Sequence, residues 1–268
     1  MAKGETVQVV DCKGKKFCQD VISMYECKRP EVKYYYNYGT VGWKTFVGSL
    51  IFYAVVLNAS ATTFTSTDSE LQEMILICLT YGLTLFAVKG VVGRYAGYVN
   101  PAQIINDAIY GDEFVRYDQA VFAFLACTAG AIIGFLLGFL TKSEDAMLST
   151  LPQTTDLDPW EPFVIELVGG FIFSAVANSV AAKYDHTLAT GVALFMAMLF
   201  TYSKTGGIIN PHRYNSVLVP SLFIEGTSVF EIFDFIGYEF GSTVGILLFS
   251  AIDTRLSMPL PKEDDKEY

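Results

Sequence analysis

Two short stretches carry the residues best placed to do chemistry. The first reads Gly93-Arg94-Tyr95-Ala96-Gly97-Tyr98-Val99-Asn100-Pro101-Ala102, and the second Thr205-Gly206-Gly207-Ile208-Ile209-Asn210-Pro211-His212-Arg213. Each is a glycine-bearing loop, then Asn-Pro, then a helix-compatible run, to about Tyr110 in one case and about Phe223 in the other. Asn caps a helix well and Pro suits its first position, so both stretches read as helix starts. Asn100 and Asn210 offer amide donors to a passing oxygen, which is hydrogen-bond exchange rather than bond breaking. Arg213, always ionised, adds a fixed guanidinium three residues after the second Asn. At membrane depth an arginine is costly enough to be functional by default. Asn-Pro is also a common turn signal, but one grammar written twice argues against two unrelated turns. Enzyme chemistry finds little support. The chain has two histidines, His186 and His212, no nucleophile elbow and no metal-ligand cluster, and Gly90-Val91-Val92-Gly93 lacks the strand-helix context of a nucleotide loop. We expect no catalytic residues, no metal site and no cofactor.

The elements that must position these stretches follow from composition. Hydrophobic residues make up 52% of the 268-residue chain and charged residues 17%, with mean hydropathy +0.38; soluble domains carry about 25% charge. The apolar residues fall in six blocks long enough to cross about 30 Å of hydrocarbon: about Val41 to Phe64, Leu71 to Val92, Tyr117 to Leu140, Pro162 to Ala182, Leu188 to Tyr202 and Phe233 to Ile252. The fifth is short. Glycines recur within them (Gly130, Gly134, Gly138; Gly169, Gly170; Gly237, Gly241, Gly245), which lets helix backbones approach closely. Residues 1–40 are polar and lysine-bearing, lack the core of a secretory signal and read as a tail; 255–268 forms a second, acidic tail. Basic residues near span ends stay cytoplasmic. Lys89, Arg94, Lys183 and Arg255 therefore predict both termini inside, in the plasma membrane or an internal one. The net charge of −10 argues against a nucleic-acid partner; the expected partners are membrane lipid and small neutral solutes. Cys78 and Cys127 read as buried packing residues, and Cys12, Cys18 and Cys27 match no zinc spacing. Tyr34, Tyr35, Tyr36, Tyr38 and Trp43 look like an interfacial anchor.

Each Asn-Pro follows the second span of a three-span set. An odd number of spans per repeat inverts the second half relative to the first. The two short helices then enter from opposite sides and meet near the midplane, where non-helical backbone survives only if buried or lining a water-filled cavity. The predicted fold is an all-α membrane protein of six transmembrane helices plus two half-helices. Its channel domain spans 41–254, with repeats over about 41–140 and 160–254.

These residues resemble the major intrinsic protein family, the aquaporins and glycerol facilitators, over about residues 41–252. The pair of Asn-Pro boxes with Arg213 is the most specific element. Thr45 through Phe52 looks like the first-helix signature, Glu166 through Phe173 its fourth-helix partner, and Tyr81-Gly82-Leu83 the second-helix motif; the sixth helix has no comparable match. The resemblance implies an aquaporin-like right-handed bundle, a homotetramer with one pore per chain, and a passive channel that excludes protons and ions. It also implies pore boxes Asn100-Pro101-Ala102 and Asn210-Pro211-His212, a filter of Tyr81, Met198 or Met196, Gly207 and Arg213, and Glu166 as support for the second loop. Three departures stand out. His212 replaces a small alanine, so either the boxes sit further apart or His212 turns aside. A histidine there reads as a pH sensor or as a hydrogen-bonded residue without regulatory duty. Thr45 stands where a buried glutamate is usual, which predicts that the first loop is held differently. The filter lacks a histidine and has Gly207, which widens the opening, against a bulky, flexible methionine; Tyr214 replaces the aspartate common in glycerol facilitators. Water is the first expectation for the solute, with glycerol, urea, ammonia or peroxide as alternatives. Two other classes share some features. A secondary transporter needs intramembrane charges, for which Glu166 and Glu239 are the candidates, and a structural membrane protein would have an occluded pore.

Overall fold

The structure is a computed structural model that describes residues 38–66, 69–92, 97–110, 117–138, 140–143, 157–158, 160–181, 186–221 and 232–256. Cys12, Cys18 and Cys27, Tyr34 to Tyr36, Arg94, Lys183, the acidic 144–156 stretch, and residues 1–37 and 257–268 of the two tails lie outside these residues. The elements are α1 (Tyr38–Ser66), α2 (Glu70–Val92), α3 (Pro101–Ile109), α4 (Tyr117–Gly138), α5 (Glu161–Ala181), α6 (His186–Thr205), α7 (Pro211–Ser221) and α8 (Ile232–Leu256). No strand occurs among the described residues. Among the described residues six helices are long and two are short, and the short ones begin at the two Asn-Pro pairs.

Among the described residues, five helices (α1, α2, α4, α5 and α6) are long and apolar enough to cross a membrane. The fifth predicted span runs longer than Leu188 to Tyr202, because α6 continues through Ser203, Lys204 and Thr205 to the second loop. α8 has 25 residues, enough at about 1.5 Å each to cross about 30 Å. Its packing makes it the sixth long helix: α8 lies along α5 as α4 lies along α1.

That correspondence runs through the whole bundle. α1 packs on α2 as α5 packs on α6, α3 lies on α8 as α7 lies on α4, and α2 meets α6 while α3 meets α7. Exchanging the halves maps each pairing onto another or onto itself, which is the inverted repeat in three dimensions. Glycine sets the two most extensive crossings. A Cβ on Gly130 would lie 2.5 Å from the Phe46 carbonyl oxygen and 3.0 Å from the Leu50 amide nitrogen; one on Gly245 would lie 2.0 Å from the Leu167 carbonyl oxygen and 2.8 Å from the Phe171 nitrogen. Only glycine permits these approaches.

The distribution of polarity is that of a protein solvated by lipid. Trp43, Leu71, Leu83, Val91, Val121, Leu125 and Phe200 are exposed on the outside, far more apolar surface than a water-solvated monomer displays. Inside lie Thr45, Ser49, Ser60, Lys89, Asn100, Glu166, Thr201, Thr205, Asn210, His212 and Arg213. The chain is an integral, multi-pass membrane protein.

Candidate functional site

Asn100 caps α3 from an extended conformation, its Oδ1 accepting from the Ala102 N–H at 2.9 Å, with Pro101 at the first helical position. Asn210 caps α7 in the same way, accepting from the His212 N–H at 3.2 Å. Each side-chain oxygen is thereby committed, which fixes the orientation of the amide. Asn100 Nδ2 then donates to the Ile209 carbonyl at 3.2 Å, and Asn210 Nδ2 to the Val99 carbonyl at 2.7 Å. Each box therefore grips the loop of the other. An amide carries two N–H groups, so one remains on each asparagine after capping and cross-bonding.

His212 does not pry the boxes apart. Its Nε2 lies 2.9 Å from Thr128 Oγ1, and its ring sits edge-on to Phe124 with centroids 5.4 Å apart. Thr128 donates its single hydroxyl hydrogen to the Phe124 carbonyl at 2.9 Å, so its oxygen accepts from the imidazole Nε2–H. Of the two outcomes left open by the sequence, His212 has turned aside toward α4, and the box-to-box bonds persist.

The second loop is held by a carboxylate. Glu166, fully buried on α5, accepts from Thr205 Oγ1 at 2.5 Å, from the Ile208 N–H at 3.1 Å and from the Ile209 N–H at 2.6 Å. The loop needs such a clamp. Gly206 and Gly207 have φ of 72° and 67°, and Ile209, a branched residue, has φ of 47°, a conformation that costs roughly 1–3 kcal/mol. The clamp turns the Gly206 and Gly207 carbonyls toward Arg213, whose Nη1 donates to them at 2.6 and 2.9 Å. The guanidinium lies over the Tyr81 ring, 4.8 Å from its centroid, and Tyr81 stacks edgewise on Phe52 at 5.8 Å. Between the two methionines, Met198 is buried and lies against Gly207, whose notional Cβ would sit 3.3 Å from the Met198 Cα, Cβ and carbonyl oxygen; Met196 is 47% exposed on the outer face of α6. Tyr81, Met198, Gly207 and Arg213 thus share one end of the bundle, and Met196 is not with them. Gly207 lies directly against Met198, so a side chain at 207 would crowd the Met198 backbone. Tyr81 and Arg213 are each 2% exposed and Met198 0%, which makes any aperture narrow.

Two features escaped the sequence reading. Tyr202 donates to Glu73 Oε1 at 3.1 Å at the Arg213 end, a pairing across 129 positions that no local pattern announces. Lys89 reads as the flank of a span, yet it is 3% exposed in the last turn of α2. The available signal was that Gly90, Val91 and Val92 follow it, so it lies inside the helix rather than beyond it.

Among the described residues no group of His, Cys, Asp and Glu could hold a metal ion. A family profile described as Major intrinsic protein matches residues 43–249. Among solved structures, the fold is similar to the X-ray structure of the aquaglyceroporin from Plasmodium falciparum, with a TM-score of 0.68 and 20% identity, covering 81% of this chain and 95% of that one. No match was found among curated proteins. With a profile covering most of its length and a fold built on two opposed half-helices, the chain belongs to the major intrinsic protein family, whose members are membrane channels for small solutes.

Proposed function

We propose that the chain is a passive channel for water and other small neutral solutes, with Asn100 and Asn210 at its centre and Tyr81, Met198, Gly207 and Arg213 as its narrow filter. One observation carries this reading: the two half-helices meet N-terminus to N-terminus, and each Asn retains one N–H after capping its own helix and bonding the opposite loop. A permeating oxygen that accepts both N–H groups recovers the hydrogen bonds it sheds on leaving water. Its own hydrogens then point toward opposite mouths, so no continuous proton wire passes the centre. The positive ends of both half-helices and the Arg213 guanidinium repel cations and hydronium. The filter joins an aromatic face and a thioether to the cation and to carbonyl oxygens, which suits water and also the carbon face of a polyol. Arg213 marks the extracytoplasmic mouth, Lys89 the cytoplasmic one, and both termini lie in the cytoplasm. Family membership favours a homotetramer with one pore in each chain.

Vesicles carrying the purified chain should shrink under an osmotic gradient with a low activation energy and without proton leak. Shrinkage no faster than that of empty vesicles would remove the channel reading. The near-complete burial of the filter side chains favours one rival, a structural membrane protein with an occluded pore, and the same assay separates the two. Iso-osmotic exchange for glycerol, urea, ammonia or peroxide ranks the permeants. Concentrative, ion-dependent uptake would instead indicate a transporter.

A further inference from the structure

The two loops that carry the boxes are alike in sequence grammar and unlike in support. Gly130 meets the Phe46 carbonyl and the Leu50 amide as Gly245 meets the Leu167 carbonyl and the Phe171 amide. These matched contacts align Phe46 with Leu167, and one residue earlier they align Thr45 with Glu166. Glu166 binds three donors of the second loop. Thr45 is equally buried but is uncharged and offers a single hydroxyl oxygen, which cannot do the same. Even so, the first loop must be placed accurately, because its Val99 carbonyl receives Asn210 Nδ2 at 2.7 Å and the Tyr53 hydroxyl at 3.3 Å.

We propose that Lys89 is the positioning residue of the first box, a cation serving the loop whose first-helix position carries Thr45 rather than a glutamate. Its Nζ lies 5.1 Å from the centroid of the Tyr98 ring, in the bundle interior, where a cation-π contact is at its strongest because water does not compete. Tyr98 is buried, stands two residues before Asn100, and donates its hydroxyl to Asp107 Oδ2 at 3.0 Å. Lys89 of α2, the loop at Tyr98 and Asp107 of α3 therefore form one strap that fixes both sides of Asn100. The strap acts on the aromatic side chain where Glu166 acts on backbone amides. A buried ammonium in a spanning helix is costly, and placing the first box is the duty this geometry assigns to it. The two halves thus hold their boxes differently, one through an ammonium on an aromatic ring and the other through a carboxyl group on backbone N–H groups.

This inference rests on the channel reading above, and its test keeps the two apart. The full chain and its variants are reconstituted in vesicles, and water permeability is measured per protein by stopped-flow light scattering. Lys89→Met and Tyr98→Leu should each lower permeability by about tenfold, as expected for loss of a desolvated cation-π contact. Lys89→Arg, which keeps the cation, should recover most of it, and Tyr98→Phe, which keeps the ring, should exceed Tyr98→Leu. The double variant Lys89→Met/Tyr98→Leu should be no worse than the poorer single variant, since both remove one strap. Conservative rescue and non-additivity are not expected of residues that merely fill space. The inference is overturned if Lys89→Met or Tyr98→Leu matches the wild type, if Arg and Met at 89 are equally impaired, or if the two losses multiply. Should Lys89→Met fail to assemble, Tyr98→Phe against Tyr98→Leu decides. Impermeable wild-type vesicles would sink the channel reading and this inference with it, whereas a permeable wild type with an equally permeable Lys89→Met sinks the inference alone.

Discussion

Glu166 is the side chain on which most of the second loop depends. Replacing it with Gln keeps the volume but leaves a single acceptor oxygen for three donors, so a buried donor such as the Ile209 N–H loses its partner at a cost of about 1–3 kcal/mol. The expected result is a lower thermal unfolding midpoint in detergent together with reduced water permeability, and an unchanged midpoint would show that the clamp matters little. Arg213→Ala removes the cation that lies over Tyr81 and holds the Gly206 and Gly207 carbonyls. It should raise glycerol passage relative to water several-fold and admit ion current; an unaltered glycerol-to-water ratio would place the filter elsewhere. His212→Ala should behave differently because the imidazole faces Thr128 and Phe124 rather than the opposite box. Stability should fall on the order of 2 kcal/mol from the lost hydrogen bond and the cavity, while water permeability stays near that of the wild type. A large change in solute selectivity in this variant would contradict the orientation of the ring.

At the scale of elements, the bundle is set by where two backbones can touch. A side chain at Gly245 has no room against the Leu167 carbonyl, whereas Gly90 has nothing within 4 Å of its notional Cβ. Gly245→Val should therefore prevent formation of a monodisperse particle on size exclusion, while Gly90→Ala should elute as the wild type does; equal behaviour of the two would mean the α5–α8 crossing is not what orders the fold. The helices themselves were legible because lipid allows no unpaired backbone and so demands long uninterrupted apolar runs. The half-helices were legible because Asn and Pro announce a helix start locally. What stayed hidden depends on helix phase and distant packing. Met196 and Met198 differ by two positions, about 200° around a helix, and only the packing of α6 on the second loop separates them. Whether His212 would turn aside was set by Thr128, 84 positions away. Lys89 passed for a flanking charge because nothing near it in sequence shows that Tyr98 folds back beneath it.

The molecule as a whole turns its polar groups inward and its apolar ones outward, and the two halves are related by inversion without being equal. The second half carries a carboxylate clamp, a guanidinium and a histidine next to its box, and the first half carries an ammonium and an ordinary alanine at 102. Such asymmetry leaves the central meeting point of Asn100 and Asn210 intact; under the proposed function it makes the two mouths chemically distinct, the proposed filter at one end and the proposed strap at the other. With Cys12, Cys18 and Cys27 replaced by serine, cysteine introduced at either terminus should react with a membrane-impermeant maleimide only after cells are permeabilised; labelling of intact cells would reverse the assignment of mouths. The most direct test of the central claim is stopped-flow light scattering on proteoliposomes under an osmotic gradient. The account predicts shrinkage much faster than in empty vesicles, with low activation energy and no dissipation of an imposed pH gradient. Shrinkage at the empty-vesicle rate, or rapid loss of the pH gradient, would contradict it.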